Sequence, residues 1–398
     1  MLTLLGINKI LAIYVGPSGY AAIGQFQNAV QVISTFASGA INTGVTKYTA
    51  EYYDDETKQH NVWRTASSIA LVGSVITALL IAIFSDSLAE WFLKDIEYSS
   101  VFLWFAGTLV LFVLNALLLA ILNGKKEIGR YVIANIAGSF FALIVTAVMV
   151  VQLGLFGALV ALAIFQSLSF FVTLLLCYKA PWFKIDFLLG RFDKQIAINL
   201  GKFAAMALTS AVAVPASHIL VRSYLGETFG VDAAGYWEAM WRLSTAYLIL
   251  VSTTLGVYYL PRLSEIKHAN DIKLEIIQGY KVILPVAVLS AFLMYFMRDV
   301  IIAVLFTKDF TPMRDLFAWQ MIGDTLKVAS LILGYVLAAR AYVAWYILSE
   351  ILFSMFFYLL VVSLSENYGL VSASLSHAIN YFVHAVFMYF VLRSKKVI

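Results

Sequence analysis

The chain has 398 residues, of which 62% are hydrophobic and 13% charged, with a formal net charge of +4. Soluble globular domains carry about 25% charged residues, and a soluble core of this size could not hide so much apolar surface. The single cysteine, Cys177, excludes a disulfide framework or a cysteine-based zinc site, and the small net charge gives no footing for nucleic acid.

The first apolar stretch, Leu2 to Val15, has neither a basic front region nor a small-residue cleavage site, so it is not read as a cleavable signal peptide. At 1.5 Å per residue it reaches about 20 Å, short of the ~30 Å hydrocarbon core, and the expectation is the second half of a first helix whose beginning is missing. Further helices are predicted near 20–50, 63–84, 100–122, 130–152 and 155–178, then near 202–225, 233–261, 279–305, 313–339, 342–364 and 369–392. Between these sets, Trp182, Phe183, Ile185, Phe187 and Leu188 interleave with Lys184, Asp186, Arg191 and Asp193, the pattern of an amphipathic segment lying along a membrane interface.

The two sets repeat. Tyr131 and Tyr346, Gly154–Leu155 and Gly369–Leu370, and Ala158 and Ala373 share one offset of 215, and Asp86 and Asp299 share one of 213. Weak self-similarity of this kind marks secondary transporters built from two bundles with a binding site between them. The expected fold is therefore all-α and membrane-integral, with two six-helix lobes in parallel repeat around a central cavity and the first helix truncated. Residues 1–178 form the N-terminal lobe, 179–197 a cytoplasmic amphipathic linker and 198–398 the C-terminal lobe.

Loop charge supports the span count. Basic residues gather in alternate loops: Lys58 and Arg64; Lys125, Lys126 and Arg130; Lys179, Lys184, Arg191 and Lys194; Arg262, Lys267 and Lys273; Arg340; and Arg393, Lys395 and Lys396. The intervening loops are neutral, balanced or acidic, as at Asp86, Glu90, Asp95 and Glu97. The positive-inside rule places the basic set, the linker and the C-terminus on the cytoplasmic side.

An ionisable side chain at bilayer depth costs about 2.5–3.5 kcal/mol on insertion scales and marks a functional candidate. Lys9, Arg222, Glu238, Arg242, Asp324, Lys327 and Glu350 are such positions. Glu238 and Arg242 stand four apart in the favourable order for an intrahelical pair, and Asp324 and Lys327, three apart, are spaced to neutralise each other. Lys9 and Arg222 lie near helix ends and can snorkel, yet their offset of 213 is what two residues lining one cavity would show. Lys47 serves equally as a headgroup anchor or a ligand. His218, His377 and His384 read as packing residues rather than metal ligands, since no further ligand is evident.

The first half has no acid at membrane depth. Its second helix instead carries Gln25, Gln27, Asn28, Gln31, Ser34, Thr35, Ser38, Asn42 and Thr43, of which Asn28, Gln31, Thr35, Ser38 and Asn42 step along one face. Such a face wants water, a polar solute or interhelical hydrogen bonds. With bases nearby, the cavity should prefer an anion rich in hydroxyls, and a pyrophosphate-linked sugar fits. Glu238, Asp324 and Glu350 are the acids able to couple an ion. Gly124–Lys125 lacks the remainder of a phosphate-binding loop, and no cofactor motif, metal motif or catalytic residue is evident, so the chain is not read as an enzyme.

The wording of four segments resembles a known family. Gly16-Pro-Ser-Gly-Tyr-Ala-Ala-Ile-Gly-Gln-Phe-Gln, Ile41-Asn-Thr-Gly-Val-Thr-Lys-Tyr-Thr-Ala-Glu-Tyr, Val257-Tyr-Tyr-Leu-Pro-Arg-Leu-Ser and Thr311-Pro-Met-Arg-Asp-Leu-Phe-Ala-Trp-Gln-Met-Ile-Gly-Asp-Thr-Leu-Lys are similar to Wzx-type flippases. These form the polysaccharide transporter branch of the multidrug/oligosaccharidyl-lipid/polysaccharide exporter superfamily, which includes the O-antigen and lipid III (enterobacterial common antigen) transporters. The resemblance implies twelve helices and transport of an undecaprenyl-diphosphate-linked oligosaccharide between leaflets of the bacterial inner membrane. By matching position it carries the role of binding the anionic carrier to Lys9, Lys47, Arg242 and Lys327. Where relatives have an acid after Ser244, this chain has Thr245, which weakens ion coupling at that point. A polysaccharide polymerase and a chain-length regulator are the implied protein partners. A drug/cation antiporter of the same fold is the alternative, and a non-transporting scaffold for glycosyltransferases a third reading.

Overall fold

The computed structural model describes residues 2–259, 262, 263, 266, 268–340, 342–395 and 397. Lys267 and Lys396 of the basic loops, and Leu260, Pro261 and Ser264 of the third resemblance segment, lie outside them. The described elements are helical. They run α1 (Leu2–Tyr14), α2 (Gly16–Ala37), α3 (Asn42–Glu51), α4 (Glu56–Ile83), α5 (Ser85–Leu93), α6 (Ser99–Gly124), α7 (Ile128–Tyr178), α8 (Lys194–Phe229), α9 (Val231–Thr254), α10 (Ala269–Phe296), α11 (Arg298–Leu305), α12 (Phe317–Ala339), α13 (Val343–Tyr368) and α14 (Val371–Ser394). Among the described residues eight helices are long and apolar enough to cross a bilayer, so this is a multi-pass membrane protein. The 51 residues of α7 would reach about 76 Å if straight, but the backbone breaks at Gly154, as the repeat predicts.

The repeat is visible in the backbone. Gly154 has φ 57 and ψ −133, and Gly369, between α13 and α14, has φ 54 and ψ −140. This region is open to glycine and nearly closed to residues with a Cβ. The two aspartates match as well: Asp86 lies in the first turn of the short helix α5 and Asp299 in that of α11. Each short helix follows a long one and is followed by a 3₁₀ segment (Ile96–Tyr98 and Lys308–Leu316) that leads into the next span.

The chain divides into two compact units. One comprises Leu2–Tyr14 and Ala22–Pro215, the other Val15–Ala21 and Ala216–Ile398, so α8 is shared at Pro215. In the first, α6 packs on α3, α4 and α7, and α1 on α7. Phe26 meets Phe102 edge-on at 5.3 Å within its core. In the second, α12 packs on α10 and α14, with Leu255, Tyr259, Ile332, Val336, Leu337 and Leu392 buried together. Tyr20 belongs to this unit, edge-on to Phe310 at 5.1 Å.

Three expectations need correction, the first being the helix near 279–305, which is two: α10 ends at Phe296 and α11 starts at Arg298. The single helix near 20–50 is two helices, because Gly39 (φ 63) and Ala40 (φ 53) turn the chain between α2 and α3. The linker, expected as an amphipathic segment lying along the interface, forms one 3₁₀ turn, Ile185–Leu188, and several of its aromatic residues turn inward. Phe183 is buried with Leu118, Leu122 and Cys177, Trp182 Nε1 donates to Glu127 Oε1 at 2.8 Å, and Phe187 stacks on His60 at 3.7 Å. Burying these rings gains more than leaving them at the membrane surface, while Ile185, Leu189 and Phe192 stay exposed.

Candidate functional site

Charges buried at membrane depth concentrate in the C-terminal unit. Arg242 lies about 16 Å along α9 and Lys327 about 15 Å along α12. The expected i,i+4 pair is present, with Arg242 Nε donating to Glu238 Oε1 at 2.8 Å. The other oxygen of Glu238 takes a second base: Arg222 Nη2 of α8 donates to Oε2 at 2.6 Å. With side-chain exposures of 2% for Arg222, 5% for Glu238 and 11% for Arg242, one carboxylate serves two guanidiniums in a nearly dry setting. The triad carries one net positive charge. Each guanidinium also faces a ring, Arg222 over Trp237 at 5.5 Å and Arg242 over Tyr20 at 5.6 Å. Arg222 therefore does not snorkel; it is buried at 3% exposure.

Asp324 and Lys327 do not pair. Asp324 Oδ2 accepts from Tyr247 Oη at 2.7 Å, and Oδ1 from Gln320 Nε2 at 3.3 Å and His377 Nε2 at 2.9 Å. The His377 ring reaches in beside Gly323, where any Cβ would run into it, and takes the place expected for the lysine. The Lys327 ammonium instead stands over Trp241 at 4.7 Å and Tyr381 at 5.6 Å, with half-buried Glu350 of α13 within electrostatic reach. His377 is thus a hydrogen-bond partner of this carboxylate, and an ion-pair partner when protonated, rather than a packing residue alone. His384 bonds Ser330, and His218 packs edge-on to Trp241 at 4.2 Å. The described charges of this cluster are three bases (Arg222, Arg242, Lys327) and three acids (Glu238, Asp324, Glu350), close to balance.

The other candidates lie in the N-terminal unit. Lys9 is half-buried on α1, Gln25 is buried in α2, and Asn42 opens α3 half-buried. Lys47 is exposed, 3.7 Å from Glu51 and 5.0 Å over the Tyr48 ring. The polar face is divided by the turn at Gly39–Ala40, and its hydroxyls bond their own helix: Thr35 Oγ1 donates to the Gln31 carbonyl at 2.7 Å and Ser38 Oγ to that of Thr35 at 3.0 Å. These hydroxyls are satisfied without a neighbouring helix.

Sequence spacing missed Tyr247, Gln320, Trp241, Tyr381 and His377 as parts of the cluster, and Ser244, whose Oγ accepts from Gln320 Nε2 at 3.2 Å. The available signal was the Gly-Asp pair itself: a glycine beside a membrane-depth acid leaves room for a partner from another helix.

Architecture and site define a polytopic helical transporter. The same fold occurs in an inward-facing multidrug resistance MATE family transporter of the MOP superfamily, at TM-score 0.81, 13% identity and coverage of 100% of this chain and 94% of that one. It also occurs in a MOP superfamily transporter from Pyrococcus furiosus, at TM-score 0.68, 16% identity and coverage of 99% and 93%. The chain belongs to the polysaccharide biosynthesis protein family, whose profile matches residues 2–267. It is 30% identical over 380 residues to the lipid III flippases of Escherichia coli and Shigella flexneri, covering 95% of this chain and 91% of each relative.

Proposed function

We propose that this chain is a flippase, not an enzyme, that moves an undecaprenyl-diphosphate-linked oligosaccharide (an O-antigen unit or lipid III) from the cytoplasmic to the periplasmic leaflet of the bacterial inner membrane by alternating access. The observation that carries the reading is the likeness to lipid III flippases across 95% of the chain. In this reading Arg242 and Lys327 receive the diphosphate, Arg222 acts on it through Glu238, and Lys9, Lys47, Gln25 and Asn42 contribute from the N-terminal unit. Desolvating two phosphate charges is the main barrier to flipping, and bases already held against rings and one shared carboxylate lower it without a large net charge that would trap the product. Glu238, Asp324 and Glu350 are the candidate coupling acids. The C-terminus and the basic loops face the cytoplasm, and a polymerase and chain-length regulator are the protein partners.

A drug/cation antiporter would want acids at depth in the N-terminal unit, whereas the acids from Glu51 to Glu127 fall at helix ends and loops. The MATE likeness, at 13% identity, speaks to fold alone. The test is Arg242→Ala expressed in a flippase-deleted strain with surface polysaccharide as the readout. Loss of complementation at equal protein level is expected; full complementation removes Arg242 from the site.

A further inference from the structure

Asp324 is ringed by donors. Tyr247 and Gln320 donate to its two oxygens, Ser244 adds a further side-chain hydrogen bond, and His377 Nε2 lies 2.9 Å from Oδ1. The group in contact with it whose side chain ordinarily takes up a proton in the physiological range is His377. With the carboxylate accepting, Nε2 carries the hydrogen, and a second proton goes to Nδ1. His377 and the Lys327 ammonium border the same two rings: Trp241 lies 5.3 Å from the imidazole and 4.7 Å from the ammonium, and Tyr381 lies 4.9 Å and 5.6 Å away. The two groups are therefore no more than about 10 Å apart.

We propose that His377, held by Asp324, is a proton-binding site whose occupancy sets the affinity of the neighbouring bases for a diphosphate headgroup. The inference rests on the reading of Lys327 and Arg242 as headgroup contacts. The charged and titratable groups that surround His377 are His218 and Arg222 on α8, Glu238, Arg242 and Tyr247 on α9, Asp324 and Lys327 on α12, Glu350 on α13, and Tyr381 and His384 on α14. With His377 neutral, their bases and acids balance, and one added proton makes the cluster net positive. A unit charge at this range and an effective dielectric near 20 changes the affinity for an anion about tenfold. His384, half-buried, and His218, buried, lack this arrangement. His384 sits two turns along α14 against Ser330, and His218 packs among Trp237, Trp241 and Phe357.

The test titrates full-length protein in nanodiscs with undecaprenyl diphosphate between about pH 5.5 and 8. The lipid's own phosphate titration is common to every variant and drops out of the comparison. Wild type, His384→Gln and His218→Gln should gain about tenfold more affinity on acidification than His377→Gln. His377→Lys, which fixes the charge, should bind at the acidic-limit affinity throughout. Should His377→Gln fail to remain monodisperse, proton exchange of the wild type decides. Cationic contacts drive a bound phosphate to release protons, so net uptake on binding has to come from the protein, and its absence overturns the proposal. A pH profile unaltered in His377→Gln overturns it as well. Failure of every protein to bind the lipid at any pH instead sinks the headgroup reading itself.

Discussion

Glu238→Gln strands two buried guanidiniums. The substitution keeps size but removes the one charge that offsets Arg222 and Arg242, whose side chains are 2% and 11% exposed, and turns one of the two accepting oxygens into an NH2 donor. Breaking a buried ion pair by removing one partner costs about 3–5 kcal/mol, because the remaining charge is left uncompensated in low dielectric. For a unit of this size each kcal/mol shifts the midpoint by about 2–4 °C, so thermal unfolding of the purified protein should move down by about 6–20 °C. The counterpart is Arg222→Met. It leaves a one-to-one pair between Glu238 and Arg242 at 2.8 Å and loses the contact with the Trp237 ring, worth about 0.5–2 kcal/mol, for a shift of a few degrees. The ordering follows from two bases sharing one acid. If Arg222→Met unfolds as early as Glu238→Gln, or Glu238→Gln melts within about 2 °C of wild type, the triad is solvated and the reasoning is wrong.

Gly154→Ala and Gly369→Ala should each destabilise by about 1–3 kcal/mol, since both positions hold positive φ with ψ near −135; unequal midpoints by more than that range in fluorescence-detected thermal melts would argue that the two breaks are not equivalent. Asp299 is hydrogen-bonded to Arg314 Nε at 2.6 Å, which holds its carboxyl below the usual aspartate range. A lowered value contributes stability above the unfolded-state value of about 3.9 and loses it as pH falls through the folded one. Melts of Asp299→Asn and wild type should therefore separate slightly above about pH 4 and converge below it, with the gap closing in high salt because both side chains are about half exposed. A gap that widens on acidification has the wrong sign.

What the sequence made legible is what local spacing and repetition encode. The Glu238–Arg242 pair follows from a four-residue step, and the breaks at Gly154 and Gly369 follow from two identical Gly–Leu pairs at one offset. Spacing misled where a distant helix competes. Asp324 and Lys327 are three apart and adjacent on α12, yet His377, 53 positions from Asp324, takes the carboxylate. No one-dimensional rule weighs an imidazole on another helix against a lysine one turn away. The linker went the same way. Alternating aromatic and charged residues describe an interfacial helix as well as a strap folded onto the bundle, and the choice depends on whether partners such as His60 and Glu127 stand where the rings land.

The two halves agree in backbone and differ in chemistry, and the difference has a direction. In the N-terminal unit the buried polar groups pair as neutral amides and hydroxyls: Asn115 Nδ2 donates to Gln166 Oε1 at 2.9 Å and Ser167 Oγ to the Thr108 carbonyl at 2.8 Å. Charges also engage partners at its helix ends, as where Lys125 Nζ donates to Gln59 Oε1 at 3.1 Å. The C-terminal unit buries ion pairs at depth. A neutral hydrogen-bonded core is rigid but indifferent to the charge of a ligand, whereas paired charges in low dielectric respond strongly when one more charge arrives. A fold that needed buried charge for stability would have duplicated it along with the glycine breaks and the short helices. Among the described residues the buried ion pairs at depth lie in the C-terminal unit, so they are not a requirement that the shared backbone imposes on both copies.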